Sequence, residues 1–147
     1  MKITFDIDEM KTALSEISKQ LYSSKWMPEI ILSINRGGCV PGVYLSHAFS
    51  TPHKVIDVQL RDSKNKPNLD VLEYSLDNYN SILIVDDIND TGATFNFIKK
   101  YTKNSNKDIR YAVLVDNVSS NFKSHFKGKI IDKSKNPIWI VFPWEQN

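Results

Sequence analysis

The stretch Ser81 to Phe95 reads S-I-L-I-V-D-D-I-N-D-T-G-A-T-F. Ile82, Leu83, Ile84 and Val85 are β-branched apart from one leucine, which suits a strand buried on both faces of a parallel sheet. Polarity then inverts. Asp86 and Asp87 come at the carboxyl end of that strand, Asp90-Thr91-Gly92-Ala93-Thr94 follow, and the pattern continues as a helix through Tyr101. In open α/β sheets ligands sit beyond the carboxyl ends of the strands, and a helix N-terminus offers unpaired N–H groups and partial positive charge to an anion. Thr91 to Thr94 are therefore a candidate phosphate cradle. Gly92 would let the backbone approach the oxygens, and the two threonine hydroxyls can donate to the same group. The helix-end effect contributes only ~0.3–2 kcal/mol, so direct hydrogen bonds must hold the phosphate. Three carboxylates would repel it. Their expected partners are sugar hydroxyls, a metal ion or a cationic transition state.

The run I-L-I-V-D-D-I-N-D-T-G-A-T resembles the signature of type I phosphoribosyltransferases, which bind phosphoribosyl pyrophosphate. The resemblance implies a Rossmann-like α/β fold, with a parallel sheet flanked by helices and a small hood. It also implies that Asp86 and Asp87 grip the ribose hydroxyls, that Asp90, Thr91, Gly92, Ala93 and Thr94 hold the 5′-phosphate, and that Asp90 handles the proton of the base. Mg²⁺ is the expected cofactor, with Asp86 and Asp87 holding it directly or through water or substrate. A helix cap at Asp90 or Thr91 would need one such residue, not an ordered set of six.

The 147 residues are expected to form one domain, 1–147, and the formal charge of +2 gives no sign of nucleic-acid binding. The single cysteine, Cys39, excludes an intramolecular disulfide and a cysteine-based zinc cluster. No hydrophobic run approaches a membrane span and no signal-peptide core follows Met1-Lys2, so a soluble cytoplasmic protein is expected.

From the N-terminus, Ile7, Met10, Leu14, Ile17 and Leu21 make the stripe of an amphipathic helix capped by Asp6 or Asp8. Phe5-Asp6-Ile7-Asp8 superficially resembles the D-x-D motif of haloacid-dehalogenase-like phosphatases, but Met10 stands where that motif has a small hydroxyl or valine, and a capping role is preferred. Beyond Pro28, Ile30 to Ile34 read as a buried strand ending in Asn35-Arg36-Gly37-Gly38, with a helix from about Val40 to Phe49. A guanidinium and two glycines at such a turn suit a second phosphate group. This matches the S-R-G-G-type pyrophosphate loop of xanthine-guanine phosphoribosyltransferases, with Asn35 in place of serine, and implies a candidate cis peptide at Asn35-Arg36. Cys39 is read as a small packed side chain, and His47, His53 and His125 as surface or satisfied histidines.

Val55, Ile56 and Val58 suggest a strand ending near Leu60, then a polar loop from Arg61 to Asn68. By resemblance that loop closes over the reaction centre, with Arg61, Lys64 or Lys66 meeting pyrophosphate. Asp70 to Leu76 alternates enough to be expected as a strand. Tyr111 to Val115 is the next buried strand, ending in Asp116-Asn117, where related enzymes place a lysine that binds the 6-oxo group of a purine; Asn117, or else Asp116, falls there. Lys123, Lys127, Lys129, Lys133 and Lys135 are read as a solvated face around a short strand at Ile130 and Ile131.

The closing Ile138-Trp139-Ile140-Val141-Phe142-Pro143-Trp144-Glu145 resembles the purine-binding carboxyl end of the xanthine-guanine enzymes. It implies Trp139 stacking on the base and Ile140 reading its edge through the main chain, while Trp144 and Glu145 close the fold. The expected activity is phosphoribosyl transfer from phosphoribosyl pyrophosphate to a 6-oxopurine, by a homo-oligomer without nucleic-acid or membrane partners. The alternatives are a non-catalytic phosphoribosyl-pyrophosphate sensor and an enzyme for another nucleobase.

Overall fold

The computed structural model describes residues 1–58 and 67–145. The elements run β1 (Lys2–Thr4), α1 (Ile7–Ser24), β2 (Ile30–Ile34), α2 (Cys39–Phe49), β3 (His53–Ile56), α3 (Asp70–Asn78), β4 (Ser81–Asn89), α4 (Ala93–Thr102), β5 (Asp108–Asn117), β6 (Phe126–Ile131) and β7 (Trp139–Val141), closed by a 3₁₀ turn at Pro143–Glu145. Five strands form one parallel sheet in the order β3-β2-β4-β5-β6, and β1 pairs with β7 in a separate two-stranded parallel hood.

Alternation along the central strands divides the apolar residues between two cores. Ile31, Leu83, Val85, Ala112 and Leu114 face one side and pack with α1 through Ala13, Leu14 and Ile17 and with α2 through Leu45. Ile30, Leu32, Ile82, Ile84 and Val113 face the other side, against Leu72 of α3 and Phe95 and Ile98 of α4. An apolar run is the sequence consequence of that two-sided burial. Asp6 begins α1 with a reciprocal capping box, its carboxylate accepting from Glu9 N while Glu9 answers at Asp6 N. Ile7, expected in the buried stripe, is instead 54% exposed, because the chain has only just entered the helix there.

The segment expected as a strand from Asp70 to Leu76 is helix α3. Asn68 Oδ1 accepts from Asp70 N at its start, and Val71, Leu72, Leu76 and Tyr79 recur on one face against the second core. The topology demands such a crossover. Since β3 and β4 flank β2 and both run parallel to it, the chain between them must return to the opposite end of the sheet. Strand β3 starts at His53, earlier than expected, and Asp57 pairs with Asn68 in an isolated antiparallel bridge. Arg61, Lys64 and Lys66 lie outside the described residues. Strands β4, β5 and β6 are all longer than their apolar runs, and β4 carries Asp86 and Asp87 inside the strand rather than beyond it.

Candidate active site

Asp86 and Asp87 are each only 6% exposed. Their carboxylates are oriented by the chain itself: Asp86 Oδ1 accepts from Asp87 N and Asp87 Oδ1 from Ile88 N, each at 2.8 Å. Beside them lies the turn after β2, where the Asn35-Arg36 peptide is cis, as the resemblance implied. Asn35 is anchored by its N–H to Ile56 O at 3.0 Å and by its amide to Asp57 Oδ1 at 2.8 Å. Gly37 packs directly on the Asp87 carboxylate, so closely that a Cβ would collide with it. The two motifs, some fifty residues apart in sequence, are thus one surface. Gly38 is the N-cap of α2, and no side chain caps that end among the described residues; Gly38 N donates to Ile34 O at 3.0 Å and Cys39 N to Arg36 O at 3.1 Å, which folds the turn tightly beside exposed Arg36.

The acidic strand leads into a cavity of about 190 Å³, lined by Asp86 and every residue from Ile88 to Phe95. Gly92, at φ +92°, is the N-cap of α4, a backbone setting that favours glycine. A Cβ there would also lie 2.8 Å from Phe122 N. The loop is braced from behind: Asn121 N donates to Thr91 O at 2.9 Å, and Asn96 donates to Asn121 O at 3.0 Å. Thr91 Oγ1 accepts from Ala93 N at 3.2 Å, which folds the cradle around its own first turn. A concave run of backbone donors and hydroxyls at a helix start can bind a phosphate.

Asn89 is buried under this loop, its amide directed at Asp116 Oδ1, Ser120 Oγ and Phe122 O, each at 2.9 Å. Asp116 is itself 2% exposed, accepting from Ser124 Oγ at 3.0 Å with Lys127 Nζ 3.7 Å away. Asn117 donates to Asp90 O at 2.8 Å, while its oxygen accepts from Ser119 Oγ at 2.9 Å and Lys133 N at 3.0 Å. Asn117 therefore clasps the Asp90 loop to the segment after β6.

That clasp delivers Lys133, one of the lysines read as a solvated face. Its ammonium pairs with Asp90 Oδ1 at 2.9 Å and stands 5.8 Å from the centre of the Trp139 ring. The turn carrying it is fixed by Asp132, which accepts from Ser134 Oγ at 2.6 Å and Ser134 N at 3.1 Å; the hydrogen bond from the hydroxyl is the main reason its carboxyl lies below the usual range. No local sequence signal marks Lys133, since its partner lies 43 positions back along the chain.

Trp139 is 57% exposed, and Ile140 beside it buries its side chain in the core. Trp139 N donates to Met1 O and Val141 O accepts from Phe5 N, each at 2.8 Å. Alternate residues of a paired strand aim their amides at the partner, so the Ile140 amide faces away from β1. Phe142 stacks on Trp144 at 4.9 Å and its N–H donates to Glu145, so these residues close the fold. The Cys39 thiol is pushed up by burial, then by the Asp57 and Asp86 carboxylates, which keeps it in the unreactive protonated form. His47 is exposed, while His53 and His125 are hydrogen-bonded to Ser33 Oγ and Tyr111 N.

Among the described residues no three His, Cys, Asp or Glu side chains converge on a point where they would cage a metal. Two adjoining carboxylates nonetheless suit Mg²⁺, which takes hard oxygen ligands and completes its shell with water and substrate phosphate. No described helix is long and apolar enough to cross a membrane.

The family model for the phosphoribosyl transferase domain matches residues 4–146. Among solved structures, the chain is similar to a purine phosphoribosyltransferase from Pyrococcus horikoshii, with 26% identity, a TM-score of 0.74, and coverage of 99% of this chain and 95% of that one. It is also similar to the xanthine-guanine-hypoxanthine phosphoribosyltransferase of Helicobacter pylori, at 22% identity and TM-score 0.76 over 99% and 93% of the two chains. The hypoxanthine phosphoribosyltransferase of Trypanosoma cruzi aligns at 18% identity and TM-score 0.59 over 85% and 78%. With the signature loop, the Arg36 turn and the parallel sheet all in their places, the chain belongs to the phosphoribosyltransferase family and is an enzyme of that class.

Proposed function

We propose that the protein transfers the 5-phosphoribosyl group of phosphoribosyl pyrophosphate to a ring nitrogen of a 6-oxopurine. The bond from C1′ to the pyrophosphate oxygen breaks, the bond from C1′ to the base nitrogen forms, and the base gives its ring proton to the Asp90 carboxylate. The observation that carries this reading is the convergence of Asp90, Lys133 and Trp139, a proton acceptor, a donor and an aromatic face next to the phosphate loop. Thr91 to Thr94 hold the 5′-phosphate, Asp86 and Asp87 the ribose hydroxyls, and Arg36, Gly37 and Gly38 the pyrophosphate. Mg²⁺, when bound beside Asp86 and Asp87, supplies charge neutralisation for the leaving group.

The base stacks on Trp139, with the main chain of Ile140 reading its edge. The carbonyl-reading role moves from Asn117, whose amide is committed to the clasp, to the Lys133 ammonium. An ammonium only donates, so it favours an exocyclic oxygen, which accepts, and disfavours an exocyclic amino group. A single-domain, cytoplasmic homo-oligomer goes with this reading.

The test is incubation with phosphoribosyl pyrophosphate and Mg²⁺, then guanine, hypoxanthine, xanthine or adenine in turn, reading nucleotide and pyrophosphate by mass spectrometry. Nucleotide from oxopurines alone is expected. Turnover of adenine at a comparable rate would overturn the base assignment, and tight cosubstrate binding without any product would point to a sensor.

A further inference from the structure

A second cleft, of about 460 Å³, opens between the carboxyl half of α4, the start of β5 and the segment 121–125. Lys99, Lys103, Lys107 and Lys123 all line it, and none of its lining residues is acidic. The chain as a whole carries a formal charge of only +2; the Lys107 ammonium is held by Asn80 Oδ1 at 3.0 Å within the field of Glu29, so Lys99, Lys103 and Lys123 form the local excess. A helix C-terminus favours cations and accounts for Lys99 and Lys103 singly. It does not account for Lys123 arriving from another segment. Part of the wall is aromatic, formed by Tyr111 and Phe122, with Lys99 Nζ 5.9 Å from the Phe122 ring centre and the His125 ring stacked on Tyr111 at 5.8 Å.

The same segment touches the phosphate loop. Asn121 lines the cleft and donates from its N–H to Thr91 O, and Asn96, also on the wall, donates to Asn121 O. Phe122 is the residue against which Gly92 packs. We propose that this cleft binds a small polyphosphate anion, and that its occupancy is felt at Thr91 and Gly92 through Asn121 and Phe122. The second half rests on the reading of Thr91 to Thr94 as the phosphate loop; the first does not.

The test is an NMR titration of the full chain with tripolyphosphate at physiological salt, following the His125 ring, which lies in the cleft. A saturable shift is expected, weakened at least tenfold in Lys99→Glu/Lys123→Glu. The charge-matched control Lys11→Glu/Lys19→Glu, on the exposed face of α1, is expected to keep wild-type affinity. An immobile His125 signal, or equal weakening in both variants, would overturn the site by showing only diffuse attraction. The backbone amide of Gly92 is expected to shift along the same curve and to stop shifting in the cleft variant. Persistence of that shift in the variant would assign it to direct binding at the loop and overturn the coupling. A nucleoside triphosphate binding more tightly than tripolyphosphate would identify a nucleotide as the ligand, and equal affinity an inorganic polyphosphate. None of these readouts needs turnover, so they stand or fall separately from the transferase reaction.

Discussion

Lys133 Nζ donates to Asp90 Oδ1 across 2.9 Å, joining the turn after β6 to the loop after β4. The pair is partly shielded, with side-chain exposures of 21% and 38%, and the ammonium lies within cation–π range of Trp139. An ammonium has three donors, so it can keep Asp90 and still offer a hydrogen to a carbonyl oxygen on a base stacked over Trp139.

Replacement of Lys133 by Met should therefore lower kcat/KM for oxopurines by about 10- to 150-fold, the worth of a charged hydrogen bond of ~1.5–3 kcal/mol. The KM for phosphoribosyl pyrophosphate should move little, and Lys133→Arg should recover part of the loss. Steady-state kinetics against both substrates checks this. An equal loss with adenine would show that Lys133 serves only to support Asp90.

Gly37 and Gly92 are both expected to resist replacement. A Cβ at Gly37 would run into the Asp87 carboxylate, and one at Gly92 would meet Phe122 N in a left-handed setting. Alanine at either position should weaken phosphoribosyl pyrophosphate binding. At Gly92 it should also destabilise the fold by more than ~1 kcal/mol, because the native φ is incompatible with the new residue. Isothermal titration and urea denaturation distinguish the two effects.

The signature loop was legible because its chemistry is contiguous: a buried strand, three acids and two threonines with a glycine between them all fall from Ser81 to Thr94. The Arg36 turn was legible for the same reason. Helix α3 was not, because its apolar residues alternate as readily at period two as they stripe at period 3.6 over so short a span; the parallel order of β3 and β4 would have decided it. Lys133 was illegible in principle. Its role comes from Asn117 catching its backbone and from the Asp132 turn, both long-range or side-chain events that composition hides. Asn117 and Asp116 stood where a base reader was expected, yet each is drawn into holding the loops together.

Two histidines make stability depend on pH in one direction. His53 is lowered from its ordinary 6.5 by burial, and His125 is lowered first by burial and then by the nearby Arg110 and Lys99 charges. A group whose folded pKa is depressed binds more protons when unfolded, so it favours the folded state at high pH. Its contribution is fully present above about 6.5 and is lost as pH falls towards the folded value. Thermal unfolding should thus show Tm declining below that pH, and His53→Gln should flatten part of the decline. An unchanged slope in that variant would remove His53 from the account.

Asp90 and Asp87 offer the sharpest separation of chemistry from binding. Asp87 is buried against Gly37 and accepts from the Ile88 amide; in the proposed reaction it grips ribose and exchanges no proton with the base. Asp90 is more exposed and lies between the phosphate loop and Lys133. General base catalysis contributes about 10²–10⁴-fold, so Asp90→Asn should reduce kcat on that scale while phosphoribosyl pyrophosphate still binds. Asp87→Ala should instead raise the dissociation constant for phosphoribosyl pyrophosphate, by about 10-fold or more for a lost charged hydrogen bond. Calorimetry with the cosubstrate alone, followed by turnover with guanine, measures both. If Asp90→Asn turned over normally, the base proton would have to leave by another route, and the Lys133–Asp90 pair would be a structural tie between two loops.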